Sequence, residues 1–88
     1  MLLQTSGFRL ERIVSNGSQT ADGTWYDQTT DEWVVLLKGK ARLQFEDTDQ
    51  AVELSPGDYL EIPRHRRHRV EWTATGEQTV WLAVHFPL

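Results

Sequence analysis

The amino-acid sequence predicts an all-β domain, a sandwich or barrel of about eight short antiparallel strands. Short apolar and β-branched runs recur between turn signals along the chain. No stretch of about eleven residues carries apolar side chains at helical spacing without interruption. With 88 residues, 39% of them hydrophobic, the chain has the size and composition of one globular domain spanning residues 1–88.

The predicted strands lie between residues that favour turns. These turn signals are Asn16-Gly17, Asp22-Gly23, Lys38-Gly39-Lys40 and Ser55-Pro56-Gly57-Asp58, the last a β-turn with Pro at its second position. The predicted strands are Phe8–Ser15, Thr24–Gln28, Glu32–Lys38, Ala41–Glu46, Ala51–Leu54, Asp58–Ile62, Arg67–Thr73 and Thr79–Phe86. In the fourth strand Ala41, Leu43 and Phe45 alternate with polar residues, which predicts one buried and one solvated face.

Two strands are apolar on both faces, namely those that contain Trp33–Leu37 and Val80–Val84. A strand of a small antiparallel barrel with two apolar faces needs a cover on its outer face as well. We expect a homodimer interface there. The alternative is that loops or the N-terminal strand of the same chain provide the cover.

Several classes of protein are disfavoured by composition. The absence of cysteine excludes disulfides, thiolate metal sites and cysteine nucleophiles. The first seven residues contain no basic segment and only three apolar residues, so we predict no signal peptide, no membrane partner and a cytoplasmic location. The net charge of -4 disfavours nucleic acid as a partner.

Four of the nine basic residues, Arg64, Arg66, Arg67 and Arg69, form a basic run on an otherwise acidic chain. Such a run could bind phosphates, but the strand alternation distributes these side chains over both faces of the barrel and its rim. The run is therefore interpreted either as surface or interface ion pairs, or as a rim that steers an anion into a cavity. For the second role we single out Arg66.

The segment Pro56 to His68 resembles the second sequence motif of the cupin superfamily, with Gly57, Pro63 and His68 at the family spacing. Glu32 and Gly39 match the second half of the first motif. The chain is thus similar to a small, single-domain, type-2-like cupin. The resemblance implies a double-stranded β-helix, or jelly-roll, barrel around a small-molecule cavity, and ligands for a metal ion at the motif positions.

The resemblance covers only part of the family's metal ligands. Glu32 and His68 occupy two of the four usual positions, and the two histidines of the first motif are missing. Counting back from Glu32 places either Trp25 and Asp27 or Tyr26 and Gln28 at their positions. Asp27, Glu32 and His68 would form a set of two carboxylates and one imidazole for iron, manganese or zinc, with Gln28 as the substitute for Asp27. The alternative is a metal-free pocket in which Glu32 pairs with His68 or an arginine.

Alternation places His68 on the inner face of its strand with Val70 and Trp72, independently of the resemblance. His85 shares a face with Trp81 and Ala83 and is a metal donor, a general base or an ordinary residue near the chain end. The predicted ligand pocket consists of Trp25, Tyr26, Gln28, Arg66 and His85.

Two functions follow from these residues. The first is a cupin that binds a small anionic or sugar-like molecule in its barrel. The second is a metal-dependent enzyme of the isomerase, epimerase or dioxygenase type, with Asp27 or Gln28, Glu32 and His68 around the metal. The fold alone does not choose between the reactions of its members.

Overall fold

The computed structural model describes residues 2–15, 17 and 24–87. It contains the strands β1 (Leu3–Gln4), β2 (Arg9–Ser15), β3 (Asp31–Lys38), β4 (Ala41–Phe45), β5 (Val52–Leu54), β6 (Tyr59–Ile62), β7 (His68–Thr73) and β8 (Thr79–Phe86). The strands form a five-stranded sheet in the order β1-β2-β8-β3-β6 and a three-stranded sheet in the order β5-β4-β7, with every pairing antiparallel. The all-β jelly-roll prediction is confirmed.

The core lies between the two sheets, as alternation predicts. The inner side of β3 carries Val34 and Leu36, which are 5% and 0% exposed, and β4 buries Ala41, Leu43 and Phe45. Ala83 of β8 and Leu54 and Ile62 of the flanking strands complete the packed interior. Alternate residues of β3 and β4 remain partly exposed on the outer faces.

Two turns explain how the chain changes direction between sheets. Gly39 joins β3 to β4 with a φ of 88°, and a Cβ at this position would lie 2.7 Å from the Thr79 Cα, so only glycine fits. In the turn from Ser55 to Asp58, Gly57 has a φ of 92° and the Asp58 N–H donates to the Ser55 carbonyl at 2.9 Å. The predicted β-turn with Pro at its second position is therefore confirmed, and the positive φ of Gly57 makes it a type II turn.

The prediction of a strand over Thr24–Gln28 is wrong, because this segment forms no strand in the structure. This segment makes a single bridge, in which Tyr26 and His68 exchange backbone hydrogen bonds of 2.7 and 3.1 Å. Pairing stops there because the Gln28 carbonyl accepts a hydrogen bond from the His65 N–H in the loop before β7. Strand β1 has two residues and gives no sequence signal. The turn predictions at Asn16 and at 22–23 lie outside the described residues.

The expected inward position of Trp72 is also wrong. The register between β4 and β7 shifts between Arg42 and Leu43, whose partners are Trp72 and Val70. The additional residue on β7 reverses the alternation beyond it, so Trp72 is 39% exposed and Thr73 is 1% exposed. His68 lies before the irregularity and keeps its inward position.

Candidate functional site

A cavity of about 360 Å³ opens between the inner faces of the two sheets. One part of its wall is apolar and is formed by Ile13, Val34, Leu43, Ile62, Val70 and Trp81. The other part is polar and is formed by Arg9, Glu11, Ser15, Tyr26, Gln28, Glu32, His68 and His85. This size and mixed lining are typical of small-molecule sites.

Register and alternation bring the polar side chains together. Arg9 of β2, His85 of β8 and Glu32 of β3 are neighbours across one row of the five-stranded sheet. Directly opposite residues of antiparallel strands place their side chains on the same face. His68 projects toward this row from β7 of the other sheet, and its Nε2 lies 3.8 Å from Glu32 Oε1. The predicted meeting of Glu32 and His68 inside the barrel therefore occurs in the structure.

Glu32 is the central group of this polar cluster. The residue is 7% exposed, and each carboxyl oxygen lies near a different imidazole: Oε1 is 3.8 Å from His68 Nε2, and Oε2 is 3.7 Å from His85 Nε2. Both distances exceed those of direct hydrogen bonds. Burial, assisted by the negative charge of Glu11, raises the pKa of Glu32 to about 7.

The orientation of His68 is fixed by the loop that precedes it. Its Nδ1 lies 3.0 Å from the Arg66 carbonyl oxygen, which can only accept, so Nδ1 donates and the neutral ring has a lone pair on Nε2. Burial lowers the pKa of His68 and favours this neutral form. The Nε2 atom that carries this lone pair lies 3.8 Å from Glu32 Oε1.

His85, which is 4% exposed, lies between two carboxylates. Its Nε2 is 3.7 Å from Glu32 Oε2 and 4.0 Å from Glu11 Oε2. Burial, followed by the nearby positive charge of Arg9, lowers the pKa of His85. Arg9 itself contacts Glu11, with 2.7 Å between Nε and Oε1. Arg9 is the only cationic side chain among the described residues that line the cavity.

The loop before β3 settles which of its side chains face the cavity. Tyr26 and Gln28 line the wall, whereas Trp25 and Asp27 do not. Asp27 Oδ1 instead contacts His65 Nδ1 at 2.7 Å, on the exposed surface. His65 has a φ of 64°, a conformation that glycine favours and that the turn before β7 needs. Trp25 packs under the Arg69 guanidinium at 5.0 Å.

The basic run does not form a free positive rim. Arg64 contacts Asp31 at 3.3 Å, Arg67 contacts Glu46 at 3.0 Å, and Arg66 contacts Asp47 at 3.1 Å. The Arg66 guanidinium also lies 3.8 Å from the centre of the Phe45 ring. Its hydrogen bonds lower the pKa of Asp47, and the Arg64 backbone N–H, followed by its side chain, lowers that of Asp31. Arg66 is absent from the cavity wall, contrary to expectation.

The predicted set of metal ligands is not assembled, because Asp27 lies away from Glu32 and His68. His85 supplies a second imidazole, and two imidazoles with one carboxylate are a common set of iron ligands. The two rings, however, face different oxygens of one carboxyl, so the donors surround Glu32 and do not converge on one point. Within the described ranges, no group of three or more His, Cys, Asp or Glu side chains is placed to hold a metal ion. The arrangement as it stands does not fit a metal centre.

Three residues of the polar wall, Arg9, Glu11 and Ser15, were not among the predicted site residues. Alternation in β2 could have identified them, since Arg9, Glu11 and Ile13 share one face. Two charged residues on one face of a strand are typical of a solvated surface. Only the curvature of the sheet shows that the face lies over the cavity.

Comparisons with known proteins agree with this architecture. The cupin domain family model matches residues 15–85. A solved protein of Ralstonia eutropha JMP134, provisionally named a mannose-6-phosphate isomerase, is 47% identical, with a TM-score of 0.95 over 99% of this chain and 81% of that chain. No curated protein matches the sequence. Among the described residues no helix is long and apolar enough to cross a membrane.

More distant structures share the fold. A cupin superfamily protein of Desulfitobacterium hafniense DCB-2 is 22% identical, with a TM-score of 0.78 over 99% of this chain and 73% of that chain. The polyketide cyclase RemF of Streptomyces resistomycificus is 23% identical, with a TM-score of 0.77 over 93% of this chain and 56% of that chain. The match to the family model and the 47% identity over nearly the whole chain show that this protein belongs to the cupin domain family.

Proposed function

We propose that this protein binds a small hydroxylated, sugar-like molecule in the cavity between its sheets. The observation that carries the proposal is a pair of buried hydrogen-bond acceptors that face each other without a donor between them. His68 Nε2 and Glu32 Oε1 are 3.8 Å apart, and above the raised Glu32 pKa of about 7 the ionised carboxylate and the Nε2 lone pair both accept. A ligand that donates two hydrogen bonds from neighbouring atoms satisfies both groups.

Adjacent hydroxyl groups, as on a sugar, supply donors at this spacing. The buried Gln28 Oε1 has no hydrogen-bond partner in the described part of the chain and provides a third acceptor on the same wall. An unsatisfied buried acceptor costs about 1–3 kcal/mol, and a bound hydroxyl would remove that cost. The apolar wall with Val70 and Trp81 suits the C–H faces of a sugar ring.

The charges of the cavity distinguish a neutral from an anionic ligand. Glu11 and Glu32 disfavour an anionic group at the polar wall, and the arginines of the basic run are engaged elsewhere. Arg9 is then the residue that would hold an anionic substituent such as a phosphate. A neutral sugar needs no such contact.

An isomerase of the sugar class is the second candidate. It is favoured by the 47% identity with the Ralstonia protein, whose provisional name states such an activity. Glu32, with a pKa of about 7, would take a proton from the hydroxyl-bearing carbon next to a carbonyl and return it to the carbonyl carbon, while the hydroxyl proton passes to the carbonyl oxygen. The isomerase requires the same sugar-binding contacts as the binding proposal, and in addition a substrate with a carbonyl group next to Glu32.

Calorimetric titration with mannose, mannose 6-phosphate and inorganic phosphate tests the proposal. We expect Gln28→Leu to weaken the binding of both sugars. Arg9→Gln should weaken only the binding of mannose 6-phosphate, by about tenfold. Arg67→Gln removes a surface arginine as the matched control and should change neither affinity. Failure of both sugars to bind at millimolar concentration would overturn the proposal.

Conversion of mannose 6-phosphate by the wild type, lost in Glu32→Gln with binding retained, would favour the isomerase over simple binding. Elemental analysis of protein purified without chelator addresses the metal-dependent alternative. A stoichiometric metal that disappears in Glu32→Gln and His68→Ala would show that the side chains close around an ion.

A further inference from the structure

We infer that the ligand of the cavity carries a primary ammonium group, which binds between Glu32, His68 and Gln28, and that the sugar-like molecule is therefore an amino sugar. This inference rests on the proposed function, because it names the chemical class of the ligand of that same site. Two features of the polar wall lead to it. The first is the geometry of the hydrogen-bond acceptors, and the second is a buried carboxylate that has no cation of its own.

The separation of the two central acceptors fits one atom that donates two hydrogen bonds. Glu32 Oε1 and His68 Nε2 are 3.8 Å apart. A nitrogen at about 2.9 Å from both would have the two acceptors about 80° apart, so N–H bonds at the tetrahedral angle of about 109° each point within about 15° of their acceptor. A hydroxyl group has only one hydrogen and cannot bridge the pair by itself.

An ammonium group has a third N–H bond, and the wall offers a third acceptor. Gln28 Oε1 is buried, lines the same cavity and has no hydrogen-bond partner in the described ranges. The Tyr26–His68 bridge and the hydrogen bond from the His65 N–H to the Gln28 carbonyl hold this loop against the start of β7. The wall therefore offers one acceptor for each N–H bond of a primary ammonium group.

The charges of the wall also favour a cationic ligand. The groups near the Glu32 carboxyl are the imidazoles of His68 and His85, and burial lowers the pKa of both, so they are neutral at pH 7. Arg9 is engaged with Glu11, with 2.7 Å between the two side chains. Within the described part of the chain, no lysine or arginine forms an ion pair with Glu32. A buried carboxylate is normally paired with a cation, and an ammonium group would supply it.

An aromatic ring adds to the attraction for a cation. Tyr26 lines the cavity, and its ring centre lies 5.8 Å from that of His68. The face of an aromatic ring attracts cations through its quadrupole. The apolar wall with Val70 and Trp81 remains free for the C–H groups of the sugar ring. The whole cavity thus suits a molecule with one charged end and an otherwise neutral, hydroxylated body.

Titration calorimetry of the wild type at about pH 7 tests the inference with mannose, 2-amino-2-deoxymannose and 6-amino-6-deoxymannose. At least one amino sugar should bind about tenfold more tightly than mannose, because its ammonium group makes charge-assisted hydrogen bonds. Acetylation of that amine removes the charge and should abolish the gain. If mannose binds and neither amino sugar binds more tightly, the inference is overturned and the proposed function stands. If none of the three binds at millimolar concentration, both are overturned.

A pair of matched variants tests the role of the carboxylate. Glu32→Gln removes the charge at nearly constant shape and should bring the affinities for the amino sugar and mannose to within about threefold of each other. Glu77→Gln, in the exposed loop between β7 and β8, removes the same charge elsewhere and should keep the tenfold preference. A preference that persists in Glu32→Gln would overturn the inference. Circular dichroism verifies that each variant is folded.

Proton release by the wild type is a second measurement and needs no variant. An ammonium group beside Glu32 should lower its pKa from the value of about 7 in the empty cavity. Binding of the amino sugar at about pH 6.5 should therefore release roughly three quarters of a proton. Calorimetry in two buffers with different heats of ionisation measures this release. Binding of the amino sugar without proton release would contradict the contact with Glu32 and overturn the inference.

Discussion

The two faces of the five-stranded sheet invert the usual distribution of polarity. On β3 the inner face carries Glu32, which is 7% exposed, whereas the outer face carries Trp33 and Val35, which remain partly exposed. Burying a carboxyl group costs free energy unless hydrogen bonds or opposite charges replace the lost water, and the hydration of an exposed apolar sheet face is also unfavourable. The first departure supports the ligand that we propose for the cavity, and the second leaves an apolar sheet face in contact with water.

The inner face itself is divided. Its apolar part, around Leu36 and Ala83, is 0% exposed and makes the core, whereas its polar part lines the cavity. The apolar part should stabilise the fold, whereas the buried polar groups of the cavity wall should lower its stability. The following three predictions test these differences, in order of decreasing effect.

The largest effect is expected at the apolar part of the inner face. Leu36→Ala should lower the free energy of unfolding by about 4 kcal/mol, because it leaves a cavity in a closely packed core. Leu37→Ala is the matched control, since Leu37 is the next residue of β3 and is 48% exposed on the other side. Its cost should stay below about 1 kcal/mol. Urea denaturation measures both, and equal costs would contradict the distinction between the faces.

The second effect concerns the buried carboxyl of Glu32. Since its pKa is raised to about 7 in the folded protein, its ionisation destabilises the fold as pH rises from about 4.5 through 7. Glu32→Gln should therefore match the wild type in stability near pH 4.5 and exceed it by about 3 kcal/mol at pH 8.

Urea denaturation across this pH range measures the difference. His68 and His85, whose lowered pKa values cost stability as pH falls below about 6.5, act in both proteins, so the difference isolates Glu32. Glu77→Gln in the exposed loop is the control. If Glu32→Gln follows the wild type at every pH, the carboxyl is not strained by burial.

The smallest effect concerns the outer face. The tilted rings of Trp33 and Tyr59 are 5.8 Å apart and should contribute about 1 kcal/mol to the stability of the monomer. A double-mutant cycle with Trp33→Leu and Tyr59→Leu, at a protein concentration where the chain is monomeric, measures this coupling. A coupling near zero would mean that the contact between the two rings does not stabilise the fold.

The fold was predictable because most strands carry their own signals. Period-two alternation in β4, the Pro-Gly turn before β6 and the apolar runs of β3 and β8 are local properties that the structure confirms. The errors occurred where one tertiary contact overrides a local pattern. A register shift turns Trp72 outward, and the bond from His65 to the Gln28 carbonyl ends the pairing after Tyr26.

The candidate site was predictable only in part. Glu32, His68, Tyr26, Gln28 and His85 line the cavity as expected. The sequence could not choose between the two spacings before Glu32, and the loop places Tyr26 and Gln28 at the cavity while it turns Asp27 toward His65. It also could not show that each arginine of the basic run has a partner, because those partners, Asp31, Glu46, Asp47 and Trp25, come from other segments.

The sequence by itself determined the fold class, the family and the inward direction of Glu32 and His68, since side-chain direction along a strand follows from periodicity. The tertiary structure alone decided that His85, Arg9 and Glu11 join them, and which charges are neutralised. The physical reason is that ion pairs and cavity walls form between residues distant in the chain, and their geometry depends on strand register and sheet curvature, which no local pattern encodes.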